Sequence, residues 1–105
     1  MTTARADLIT LDSAVDKDGD TMPAVKAFGT GFTLANVAAS AQLVGPDPNL
    51  TRRFLVHAEG GQIWVAFGAT PDAGAEPRGF LSSGKSVLIE LEPTHSIRVA
   101  AANLT

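Results

Sequence analysis

The sequence contains no cysteine and no tyrosine, a single tryptophan, and only eight lysines and arginines among its 105 residues. The lack of cysteine excludes a disulfide framework, thiolate metal sites, iron–sulfur ligation and a Cys nucleophile. Eleven acidic residues against those eight leave a net charge of −3. Nucleic acid is therefore not an expected partner, because displacing counterions from phosphate requires a basic face. No apolar run approaches the ~20 residues that a bilayer crossing needs, so no membrane partner is expected either. The N-terminus carries Asp7 and Asp12 and lacks the basic start and apolar run of a signal peptide. These absences leave the expectation of one small soluble domain.

What is present is enough for one modest core. Leu, Ile, Val and Phe number 27, well above a disordered composition, and alanine supplies a further 17 residues. A core padded with alanine buries a limited share of its surface, so stability borrowed from a partner subunit is expected. The chain divides near residue 30. Residues 1–30 hold eight charges, one apolar patch (Leu8, Ile9, Leu11) and a turn-rich stretch from Asp16 to Asp20. They read as a partly flexible N-terminal arm with at most one or two short strands. Residues 31–105 carry the periodicity of a folded antiparallel β domain.

Phe54, Val56 and Ala58 alternate with Leu55 and His57, and Ile63, Val65 and Phe67 alternate with Gln62, Trp64 and Ala66. Gly60-Gly61 lies between the two runs and tolerates the positive φ of a tight turn. This reads as a β-hairpin and is the strongest local signal in the chain. Further strands are expected around Phe32 to Val37, at Phe80-Leu81, over Ser86 to Leu91 and around Ile97 to Ala101. Loops fall at Gly45 to Pro48 and Gly68 to Gly79. Strands recurring about every ten residues indicate an all-β fold, a small antiparallel β-sandwich or barrel with an extended N-terminal arm. Only Ala35 to Val44 competes as a helix, on its alanine content.

The candidate chemical motifs are weak. Asp16, Asp18 and Asp20 alternate as calcium ligands do, but Thr21 and Ala27 stand where an EF-hand needs Gly and Glu. A solvated acidic turn is the reading. His57 and His95 lack the spacing that links metal ligands. His57 is expected to point outward or towards a subunit interface, and His95 lies in a turn. Gly79 to Ser86 satisfies the letters of a phosphate loop, but a Pro- and Gly-rich loop precedes it and a β-like run follows it, so nucleotide binding is not expected. Arg52-Arg53 reads as a solvated strand edge. No serine lies in a nucleophile elbow, and no pair of acids suggests glycosidase chemistry. No catalytic residue, cofactor or metal is therefore assigned. Trp64, opposite Ile63, Val65 and Phe67, is either a second core layer or an aromatic at a subunit or ligand contact.

From Arg53 onward the sequence resembles small all-β virion structural proteins of tailed bacteriophages. The resemblance rests on the run from Phe54 to Gly68, the small-residue loop Ala69 to Ala75, the step Phe80, Leu81 and Gly84, and the closing Ile97, Val99, Ala101 and Ala102. Ala39 to Leu43 resembles the small-residue stretch that precedes the core in such proteins. What the resemblance implies is a non-enzymatic decoration or cement protein of the capsid surface, made in the host bacterial cytoplasm. It would bind the major capsid protein or another virion protein and self-associate, with a trimer favoured. A tail or head–tail connector component is the alternative within the same class. A carbohydrate-binding module that stacks sugar on Trp64 is the alternative from another class. The residues expected to meet a partner are Leu8, Ile9, Leu11 and Trp64. The arm is expected to order on a neighbouring surface as an added strand, so that a chain starting at Gly31 keeps its fold; the alternative is that Leu8, Ile9 and Leu11 close the domain's own sheet, and the same truncation then unfolds it.

Overall fold

The computed structural model describes residues 2–15, 21–35, 37 and 39–102, with side chains described for 2–10, 26–35, 37 and 39–102. Eight strands run β1 (Thr3–Val15), β2 (Thr21–Ala35), β3 (Ala41–Val44), β4 (Arg52–Glu59), β5 (Ile63–Gly68), β6 (Gly79–Leu81), β7 (Ser86–Leu91) and β8 (Ser96–Ala101). They form two four-stranded antiparallel sheets, ordered β2-β1-β4-β7 and β3-β8-β5-β6. The expected β-sandwich is what is found. Among the described residues there is no helix, and the stretch that competed for one ends β2 and forms β3 instead.

Alternation explains the core. Ala4, Ala6, Phe54, Val56, Ile89 and Leu91 face inward from the first sheet. Leu43, Val44, Ile63, Val65, Ile97 and Val99 meet them from the second. Phe32 packs edge to face on Phe54, ring centroids 6.1 Å apart, a favourable quadrupole arrangement.

The connections differ from the expected hairpin. β4 and β5 lie in different sheets, so Gly60-Gly61 is a corner across the sandwich rather than the tip of a two-stranded ladder. Gly60 adopts φ 73°, the left-handed backbone that glycine tolerates. Hairpin and corner bury the same alternate residues, and periodicity alone does not separate them. From β2 to β8 the chain passes between sheets in the manner of a jelly roll. β1 lies between β2 and β4, next to the corner where Thr3 pairs with Glu59 and Ala102 donates to the Gln62 carbonyl.

That placement draws the first part of the arm read over residues 1–30 into the first sheet. Thr3 to Ile9 pair with Arg53 to Glu59 in an interior position, and Ala4 and Ala6 are fully buried. An extension does exist further along. Among the described residues, β1 beyond Ile9 pairs only with β2, through Val15 opposite Thr21. The resulting two-stranded ribbon reaches about 20 Å past β4, at roughly 3.3 Å per residue. The Asp16 to Asp20 stretch lies outside the described residues.

Candidate functional site

The residues singled out from the sequence do not converge. Leu8 sits opposite Phe54 and packs on the main core. Ile9 is buried, opposite Arg53 on one side and Phe28 on the other. Both are parts of the domain's own sheet. Leu11 pairs with Val25 in the ribbon, and its side chain is outside the described set.

Trp64 lies on the outer face of the second sheet, half-buried beneath the β5–β6 loop. It packs on a small cluster of Ala66, Ala73 and Ala100. The Arg78 guanidinium stands 3.9 Å from its ring centroid, and Phe80 meets it edge-on at 5.5 Å. The loop is tied down by polar contacts. Arg78 Nη1 donates to the Ala73 carbonyl (3.1 Å), Ala73 N–H donates to Ser40 Oγ (3.2 Å), and Arg98 donates to both the hydroxyl and the carbonyl of Ser40. Cation–π stacking and apolar contact therefore use the indole surface inside the chain. Trp64 is a satellite core residue, the first of the two readings open from the sequence.

The polar motifs are structural. Gly84, at φ 80°, forms a bulge in which its N–H donates to the Ala58 carbonyl (2.8 Å) while Ala58 N–H donates to Lys85 (3.1 Å). Lys85 N–H donates to the Ser82 carbonyl (3.1 Å), and a strand follows. These amides are committed to the fold and do not cradle an anion. His57 faces outward as expected, with Nδ1 2.9 Å from Ser86 Oγ across β4 and β7. Arg53 pairs with Glu90 at 2.9 Å in solvent. Arg52, expected to be solvated, instead donates to the Gly45 carbonyl (2.9 Å) and lies over the Phe54 ring. Among the described residues, no group of three His, Asp or Glu is placed to hold a metal ion.

The concave apolar surface lies elsewhere, on the flank formed by β6 and β7. β6 has three residues and covers only Ile63 to Val65 of β5. Beyond that point the second sheet is a strand short, and the seam between the sheets opens. Phe67 continues the inward alternation of Ile63 and Val65, yet it is 54% exposed. An open groove of about 320 Å³ runs beside it, lined by Phe67, Phe80, Leu81, Val87, Leu88 and Ile89 among others. A second hollow of about 350 Å³ opens on the loop side of the same phenylalanine. Of six exposed large apolar residues among those described, four (Phe67, Phe80, Val87, Leu88) belong to this flank. Contiguous exposed apolar surface of this kind marks an interaction site more often than single scattered residues do.

Compared with protein-family models, with curated proteins and with solved structures, the chain matches none.

Proposed function

We propose that this chain is a non-enzymatic structural protein of a bacteriophage particle. In this reading it decorates the capsid surface, binds the major capsid protein and stabilises the head shell. The observation that carries the reading is the β1–β2 ribbon, a paired extension reaching past a sandwich to which it adds no ladder partner beyond Ile9. A two-stranded ribbon is marginal alone in water, whereas pairing or packing against a second surface stabilises it. The jelly-roll winding accords with the reading, since capsid domains use it. Lectins and cupins use it as well, so the winding alone assigns no function. Sugar stacking on Trp64 has less support, because Arg78 and the alanine cluster occupy the indole.

The test is co-sedimentation with heads and with tails purified from particles lacking this protein. Saturable binding to heads is the expected result. A variant joining Thr10 to its partner Ala27 through Asn-Gly removes the ribbon tip and closes a two-residue turn. It is expected to melt as the parent chain does and to lose at least tenfold in head binding. Binding to tails alone would assign the chain to the tail or connector. Binding to neither, or full head binding by the ribbon-less variant, would overturn the reading.

A further inference from the structure

A sandwich of two open sheets has four edge strands, and three of them here carry recognised protection against pairing. β3 and β6 are four and three residues long. β2 is long, but its register with β1 shifts twice, and it carries Pro23 and the exposed Lys26. Short length, bulges, proline and lysine are the devices by which edges are kept from adding strands. Within its six residues β7 has none of them: the bulge at Gly84 and Lys85 lies before its first residue, and its one charge, Glu90, is paired with Arg53. It runs six residues without proline, lysine or register shift, and four of the six are Val87, Leu88, Ile89 and Leu91. Its unpaired side borders the apolar groove, where Val87 and Leu88 are 39% and 47% exposed.

We propose that β7 pairs antiparallel with β7 of a second copy of this chain, across a two-fold axis through Leu88. This joins the two four-stranded sheets into one and closes the two grooves against each other. The inference is independent of the virion reading.

Hydrogen bonding limits the register, and charge decides it. Ala58 N–H donates to the Lys85 carbonyl. Alternation along an antiparallel ladder then turns the amides and carbonyls of Val87, Ile89 and Leu91 towards β4, and those of Ser86, Leu88 and Glu90 towards the free edge. Centring the axis on Leu88 pairs Leu88 with its copy and Ser86 with the second copy's Glu90, giving about six inter-chain backbone bonds. The two Glu90 carboxylates then stand four residues apart, about 13 Å. Centring on Ile89 would bring those carboxylates to neighbouring positions on one face, where like charges repel. On the outer face Leu88 meets Leu88 beside the half-buried Leu55, its partner on β4. On the inner face Val87 meets Ile89 above the Phe67 groove. Self-pairing of one edge is isologous and closes at two copies. The trimer expected from the resemblance would require β7 to meet one of the three protected edges.

The full chain, at 10.8 kDa, should scatter light as a dimer of about 21.6 kDa at micromolar concentration. Leu88→Arg places two cations face to face on the axis and alters only an exposed position. It should halve the mass and leave a chain that still unfolds cooperatively, at a melting temperature lowered by the loss of the dimer. Because the chain has no cysteine, single thiols report geometry directly. Under mild oxidation Leu88→Cys should cross-link, since opposed residues there lie about 5.5 Å apart, within disulfide range. Ser86→Cys should not cross-link, at about 13 Å from its copy. A monomeric parent chain, a trimer, a dimer that survives Leu88→Arg, or cross-linking through Ser86→Cys in place of Leu88→Cys would each overturn the proposal.

Discussion

Ala6 tests whether the N-terminal strand belongs to the core. It is fully buried, with Phe32 opposite it on β2 and Val56 opposite it on β4. Flanked by two large side chains on the same inward face, it leaves no room for growth. Ala6→Leu forces displaced rotamers in a close-packed interior, at a cost of roughly 2 kcal/mol within the usual ~1–3. For a domain of about 100 residues each kcal/mol lowers the melting temperature by about 4–8 °C, so the expected fall is about 8–16 °C. The control is Arg5→Leu, one position away on the opposite face. Arg5 is half-exposed and pairs with Asp7 at 2.9 Å, and a surface pair of this kind contributes at most ~1 kcal/mol. Both variants are melted by circular dichroism alongside the parent chain. An arm lying outside the domain would make Ala6→Leu as silent as Arg5→Leu. That outcome, with both melting alongside the parent, would refute the placement of β1 inside the sheet. The same placement predicts that a chain starting at Gly31 fails to fold, because it lacks the strand between β2 and β4.

Trp64→Ala should destabilise the fold by ~2–3 kcal/mol, below the ~3–5 of a fully buried aromatic because the residue is only partly buried. Glycan titration should leave the parent's indole fluorescence unchanged, and a saturable shift would restore the sugar-stacking alternative. Gly84→Ala should cost about 1–2 kcal/mol although its Cβ would meet nothing within 4 Å, since the penalty comes from the left-handed backbone. Millimolar ATP should leave the parent's melting temperature unmoved, because the Gly84 and Lys85 amides are already bonded within the chain.

Much of the fold was legible in the residues. Alternation in Phe54 to Ala58, Ile63 to Val65 and Val87 to Leu91 marks the strands and their buried faces, and Gly60-Gly61 marks a reversal. The sequence by itself therefore determined an all-β chain, most of its inward residues and most of its loops. Tertiary structure decided which strands became neighbours. A period of two records which face leaves water and says nothing of the ladder partner, so hairpin and corner at Gly60 read alike. The place of β1 was open for the same reason. Its partners on β4 lie some fifty residues away, and Ala4 and Ala6 are too small to announce a core position. Trp64 stood out by its size, yet its role depends on Arg78, Ala73 and Ser40 folding back over it from other segments. The groove was illegible because Phe67 has the phase of a core residue. Only the early end of β6, which leaves the second sheet a strand short beside it, places that phenylalanine at the surface.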